Sequence, residues 1–279
     1  MTTPDIQLFD QRTPDERDRP FLPGMGRAWL LPLYDTVTRL AGVRAVYERT
    51  AALAGVAPGE SVVDVGCGTG NLTFAVLAAT PQARVTGLDP DGDALRRAAH
   101  KAHRRRVGLT LVQGYADRIP ADDAALDHVI SSLALHHADD DGRAGFARDA
   151  LRALRPGGTV TVADFDSGPT QGATTAAPPA HTHRHGPGHV LRNLLRIVQP
   201  RRSRAPVVAH EQGDGLVALL TGAGFTDARE VAHLDHRFGR IAVVRATRPM
   251  DTMDSRNGDA VRGHASADRE GEETPGHDS

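Results

Sequence analysis

The chain has a single cysteine, Cys67, among 279 residues, so no intrachain disulfide is possible and no cysteine cluster can hold a metal. Nowhere does an uninterrupted apolar run reach the roughly 18 residues that a membrane-spanning helix requires. The N-terminus carries Asp5, Asp10 and Asp15 in place of the basic and apolar regions of a secretory leader, and a cytoplasmic protein is expected. Net charge is also scarce: 33 basic and 35 acidic residues leave −2, which gives no global signature of nucleic acid or anionic membrane. Lysine is nearly missing, since Lys101 stands alone among the basic residues. We read that arginine bias as compositional habit.

What the chain does have is a 39% hydrophobic content, enough for one sizeable α/β core with appendages. Its centre is Val62-Val63-Asp64-Val65-Gly66-Cys67-Gly68-Thr69-Gly70-Asn71-Leu72, an apolar run that empties into three alternating glycines and resumes with helical character. The spacing predicts a strand, a tight turn and a helix whose free N–H groups open on the turn. Asp64 falls at the carboxyl end of that strand, where a carboxylate is costly unless it orders the loop or meets a cationic ligand. Cys67 lies between two loop glycines and reads as a small loop residue, not a nucleophile. A second apolar strand, Val85 to Leu88, closes on Asp89-Pro90, at the spacing from the glycines where an acid suits a ribose diol. A dinucleotide-binding dehydrogenase would use Asp89 in the same way. However, its fingerprint G-x-G-x-x-G is broken here, because the sixth position counted from Gly66 is Asn71.

Asp64-Val65-Gly66-Cys67-Gly68-Thr69-Gly70 resembles the first motif of class I S-adenosylmethionine-dependent methyltransferases, in particular the ubiquinone/menaquinone-biosynthesis type. The resemblance implies an α/β fold: a Rossmann-like, seven-stranded methyltransferase sheet with helices on both faces, an N-terminal helical cap and a lid insertion after the fifth strand. It also implies a cofactor, S-adenosyl-L-methionine, held by Asp64, Gly66, Cys67, Gly68, Gly70, Asp89, Pro90 and Ser131. In this family the cap carries a Tyr-Asp pair near the cofactor, matched by Tyr34-Asp35; ordinary helix packing of Tyr34 is the other reading. Gly114-Tyr115-Ala116-Asp117-Arg118-Ile119-Pro120 is similar to the adenine-binding segment, with Tyr115 where many relatives have an acid. Ala116, through its N–H, and Asp117, the nearest carboxylate, are the candidates there.

Asp127 to His137 is similar to the family's fourth strand and the histidine-bearing loop at its end. His136 or His137 is a candidate general base, and an equally ordinary structural role stays open for each. No Asn/Asp-Pro-Pro-Tyr run is present, which argues against methylation of DNA amino groups. Leu151 to Gly158 resembles the arginine-leucine-proline-glycine-glycine turn before the fifth strand, Thr159 to Phe165.

The expected organisation is a flexible arm at 1–24, a methyltransferase domain at 25–250 with a lid insertion at 166–210, and a disordered acidic tail at 251–279. The insertion holds His181, His183, His185 and His189, which suit a mobile loop better than a metal site because no carboxylate or cysteine is interleaved, so no metal is expected. Arg96, Arg97, Lys101 and Arg104 to Arg106 read as a solvated helix face with cations near its C-terminus. The function implied is methyl transfer to a small molecule, possible acceptors including hydrophobic, quinone-like or lipid-like ones. RNA or protein methylation and a non-catalytic S-adenosylmethionine-binding module are the alternatives. If the motif is read correctly, calorimetry will detect S-adenosylhomocysteine binding and none of a nicotinamide dinucleotide; the opposite pair of results would overturn it.

Overall fold

The computed structural model describes residues 5–17, 19, 43–165, 214–236 and 239–251. Residues 1–249 cluster as one unit, and 250–279 form a second, of which Met250 and Asp251 are described. In chain order the elements are strand β1 (Ile6–Asp10), helix α1 (Pro14–Arg17), α2 (Arg44–Ala54), β2 (Ser61–Val65), α3 (Asn71–Ala79), β3 (Arg84–Asp89), α4 (Gly92–Arg105), β4 (Leu109–Gln113), β5 (Leu126–Ser132), α5 (Asp140–Ala153), β6 (Leu154–Phe165), α6 (Asp214–Gly222), β7 (Thr226–His236) and β8 (Gly239–Thr247). A short 3₁₀ turn, Leu135–His137, follows β5.

The strands make one mixed sheet in the order β1-β4-β3-β2-β5-β6-β8-β7, parallel except where β8 lies antiparallel between β6 and β7. The order reverses direction beside β2, which is flanked by β3 on one side and β5 on the other. Ligands in open parallel sheets settle outside the carboxyl ends of the strands at such a reversal. The β2 sequence explains its central place: Val62 packs into the cluster with α2, α3 and α4, whereas Val63 and Val65 pack into the cluster with α5 and α6. Both faces of the strand are therefore buried, and its apolar residues run together without alternation.

Helix boundaries follow local chemistry. Asp91 caps α4, its side chain accepting from the N–H groups of Asp93 and Ala94, and Asp139 caps α5 by accepting from Gly142 N. Gly55 ends α2 in the left-handed conformation at φ 69°.

Two features differ from the sequence expectation. The sheet has eight strands, not seven, and the extra one comes from the segment expected to be a flexible arm. β1 pairs with β4 along its whole length, from Ile6 opposite Leu109 to Asp10 opposite Gln113. Four of its five side chains are exposed, Leu8 and Phe9 among them, so backbone hydrogen bonding holds this edge strand and no buried apolar periodicity announces it. In addition, β6 starts at Leu154 and runs through the Arg155-Pro156-Gly157-Gly158 segment, because Leu154 already pairs with Leu126 before a shift in register. The lid insertion at 166–210, Tyr34 with Asp35, and the tail beyond Asp251 lie outside the described residues.

Candidate active site

The three glycines of the turn after β2 all have positive φ, at 71° for Gly66, 53° for Gly68 and 81° for Gly70, yet each serves a different need. A Cβ on Gly66 would lie 2.3 Å from that of Ala134, so the turn and the loop after β5 touch there. A Cβ on Gly70 would meet the Phe74 ring at 2.9 Å, so this glycine lets α3 start close to its own first turn. A Cβ on Gly68 would meet nothing within 4 Å, which makes Gly68 the glycine that faces open space. Cys67 is turned the other way: its sulfur is buried against Gly87 of β3, and burial pushes the thiol well up. It is a packing residue here.

The turn is fastened to the end of β3. Gly66 N and Cys67 N donate to Leu88 O at 2.8 and 3.1 Å. Gly68 N donates to Asp89 Oδ2 at 2.7 Å, while Asp91 N donates to Asp89 Oδ1 at 2.8 Å. Burial still dominates at Asp89, lifting its carboxyl to about 6 against the pull of those two hydrogen bonds. Lys101 departs from the solvated face expected of its helix. Its ammonium donates to Thr69 O, Thr69 Oγ1 and Asn71 Oδ1 at 3.0, 2.8 and 3.2 Å, bracing the turn from α4.

Asp64 is 1% exposed, and its Oδ2 accepts from Thr73 Oγ1 at 2.6 Å. Its Oδ1 has no hydrogen-bond partner among the described residues. Desolvation raises this carboxyl to about 7, opposed by the hydrogen bonding from Thr73. A buried acceptor left without a donor is an unfavourable arrangement that a ligand's ammonium group would relieve.

A cavity of about 190 Å³ opens at these strand ends. It is lined by Gly66, Pro90, Ala116, Asp117 and His137 among the expected residues, and by Arg19, Tyr115 and Asp139 besides. A larger basic cleft of about 530 Å³ lies between α2, α3 and α4, lined by Arg44, Lys101, Arg104 and Arg105 and by helical residues throughout, whereas the smaller cavity takes in Val65, Leu88 and Gly114 at the strand ends. Ser131 is fully buried, its hydroxyl donating to Val65 O at 2.8 Å, so that side chain is spent inside the sheet.

The histidines differ from each other. His136 Nδ1 lies 2.7 Å from Asp164 Oδ1, and His136 N donates to Asp164 Oδ2 at 3.0 Å. A carboxylate so placed takes the Nδ1 hydrogen and leaves the Nε2 lone pair as the basic position. His137 packs its ring 4.0 Å from that of His136, and burial, assisted by the charge on His136, pulls its pKa down. Asp164 and Arg19 are among the residues of the site that escaped the sequence reading. Asp164 was legible in principle, since it closes an apolar strand as Asp64 and Asp89 do; Arg19 sits in a polar segment and left no signal.

Residues 62–158, from β2 to the glycines within the register shift of β6, match the model of a methyltransferase domain. Over this stretch the chain is similar to a methyltransferase domain. Among relatives, a 27-O-demethylrifamycin SV methyltransferase of Amycolatopsis mediterranei is 36% identical over 118 residues, covering 40% of this chain and 42% of that one. A trans-aconitate 2-methyltransferase of Streptomyces coelicolor is 30% identical over 224 residues, covering 74% of this chain and 66% of the relative. The chain thus spans less than two thirds of either relative's length. The fold of a putative methyltransferase of Haloferax volcanii, solved in complex with the Trm112 methyltransferase activator, is similar with a TM-score of 0.55 at 18% identity, covering 83% of this chain and 99% of that one. The similarity is to methyltransferases, and the resemblance of the glycine turn to the class I type implies S-adenosylmethionine as the cofactor. The residues present fit that molecule: an orphaned buried carboxylate oxygen for a cation, an open glycine turn, and a second strand-end acid.

The raised carboxyl of Asp64 has a signed consequence. Between the ordinary carboxylate range and about 7 the folded chain binds a proton at this position that the unfolded chain has released, so this contribution to stability is full at low pH and is lost as pH rises through about 7. Asp64→Asn is neutral at every pH. Its stability relative to the parent should therefore rise with pH across that window, by at most about 1.4 kcal/mol per pH unit. Urea unfolding of both proteins at a series of pH values checks this, and a stability difference that does not vary with pH would refute it.

Proposed function

We propose that the protein is an S-adenosylmethionine-dependent methyltransferase whose acceptor is a small molecule. The observation that carries the reading is the junction of β2, the glycine turn and β3, where two buried acids with raised carboxyls flank backbone that faces open space. Asp64 Oδ1 would take the ammonium group of the cofactor's amino-acid part. Asp89 would take the ribose hydroxyls with the acceptor positions that Gly68 N and Asp91 N leave unused. Pro90, Ala116 and Asp117 would line the adenine end, with Gly66 and Gly68 letting the cofactor lie on the turn. The described residues contain no helix long and apolar enough to cross a membrane.

When bound, the cofactor supplies a methyl group already activated by its sulfonium. The protein's share is to align an acceptor and exclude water, and positioning of this kind is worth about 7–11 kcal/mol. His136 is the proposed general base, with Asp164 holding it in the tautomer whose Nε2 can take a proton. Phe165 packs edge-on against the His136 ring at 5.2 Å and keeps it in place. A base so oriented assists a hydroxyl, a phenol or a carbon acid more than a neutral amine or thiol. Small acceptors are supported by the relatives, one a 27-O-demethylrifamycin SV methyltransferase and the other a trans-aconitate 2-methyltransferase. The resemblance to the quinone-biosynthesis type favours a hydrophobic acceptor within that range.

Asp89→Ala should weaken S-adenosylhomocysteine binding by about 1.5–3 kcal/mol while the protein stays folded by circular dichroism. A folded variant that binds as tightly as the parent would remove Asp89 from the ribose. A metabolite screen with isotope-labelled S-adenosylmethionine, read by mass spectrometry, identifies the acceptor. With that acceptor, His136→Gln should lower kcat by about 10²–10⁴-fold and leave cofactor affinity near the parent value. An unchanged kcat would assign His136 to structure.

A further inference from the structure

One wall of the cavity comes from outside the 62–158 match. Arg19 belongs to the N-terminal segment, which is laid across the carboxyl end of β4 and fastened there repeatedly. β1 pairs with β4, and Gln11 N prolongs the pairing by donating to Gln113 O at 3.1 Å. The Gln11 amide donates to Arg118 O at 2.7 Å, and Arg118 donates back to Gln11 O and to Glu16. Beyond α1, three contacts converge on Arg19. Its carbonyl accepts from the Tyr115 hydroxyl at 2.6 Å, its guanidinium lies 4.5 Å from the Tyr115 ring centre, and its Nη1 donates to Asp117 Oδ2 at 2.7 Å.

The consequence falls on Asp117. One carboxylate oxygen is held by Arg19, and the other, Oδ1, is buried with no hydrogen-bond partner among the described residues. Asp117 also lines the cavity, where a ligand could bring a donor to Oδ1. Gly145 fixes the other side of this carboxylate's stem, since a Cβ there would come within 2.7 Å of Asp117 Cβ. The Tyr115 hydroxyl hydrogen is committed to the Arg19 carbonyl, so Tyr115 does not supply the donor for Asp117 Oδ1.

We infer that Arg19 is a specificity-determining residue of the cofactor site: it holds Asp117 so that Oδ1 accepts from the exocyclic amino group of a purine, and it closes that end of the cavity over Tyr115. The inference rests on the reading of the cavity as the adenine end of an S-adenosylmethionine site. It gives the N-terminal segment the task of a strap. An ion pair as exposed as this one, with side chains 39% and 32% accessible, is weakly held, so the strap can release a ligand without disturbing the sheet.

The experiment is calorimetric titration of the full chain with S-adenosylhomocysteine and with its deaminated analogue, S-inosylhomocysteine, in which a carbonyl replaces the amino group. The parent should bind the adenine form at least about 10-fold more tightly, because the analogue sets an acceptor against Asp117 Oδ1. Arg19→Ala should bring that ratio toward one, chiefly by weakening the adenine form, and Arg19→Lys should restore part of it through charge without the planar fork. Asp117→Asn, which can donate, should shift the preference toward the inosine form; thermal melts confirm that each variant is folded. A parent that binds neither compound overturns the cofactor reading itself. A parent that binds S-adenosylhomocysteine, with an adenine preference unchanged in Arg19→Ala and Arg19→Lys, overturns the role of Arg19 alone.

Discussion

The carboxylate of Asp89 is the constraint on which the site depends. It accepts the Gly68 amide on one oxygen and the Asp91 amide on the other, and so ties the turn after β2 to the start of α4. Gly68 needs a left-handed backbone to present that amide, and Asp91 must be fixed before its own side chain can cap the helix. A single acid at the end of β3 therefore sets the height of the turn, the entry of α4 and, through Lys101 on that helix, the brace on Thr69 and Asn71. The cost is burial of a charge, visible in a carboxyl raised to about 6.

Much of this was legible in the sequence because it is written in residue types that local geometry demands. Alternating glycines after an apolar run can mark a tight turn, and an acid closing a buried strand has to be explained by a partner. Strands β2 and β3 fall within a residue or so of the apolar runs that predict them, since both faces of each are covered and hydrophobicity alone marks the span. β1 was illegible for the complementary reason. A strand that buries almost no side chain is selected by backbone pairing, which leaves no pattern in composition. Arg19 and Lys101 were illegible as site residues because their partners are distant in sequence, Asp117 at 98 residues and Thr69 at 32. Their helical or polar surroundings read as solvated surface.

Three acids, Asp64, Asp89 and Asp164, lie at the carboxyl ends of β2, β3 and β6, the last separated from β2 by β5, and each is satisfied differently. Asp89 takes one backbone amide on each oxygen, Asp164 takes the amides of His136 and Phe165 together with the imidazole, and Asp64 takes the Thr73 hydroxyl on one oxygen with the other left over. The inequality is what differentiates the site. Asp164 is spent on positioning the imidazole, whereas Asp89 keeps an acceptor position on each oxygen and Asp64 keeps a whole oxygen for a ligand.

The place of β1 also bears on how the molecule is made. It is the first strand of the described chain, yet its partner is the fourth, and Gln11 finds Arg118 only 107 residues later. During synthesis the segment must wait, with Leu8 and Phe9 in water and no strand to join, until three further strands have left the ribosome. Closing so long a loop is slow, and it follows the assembly of the strands it docks on. The wall of the cavity that Arg19 supplies is thus finished by a segment made well before the strand it docks on.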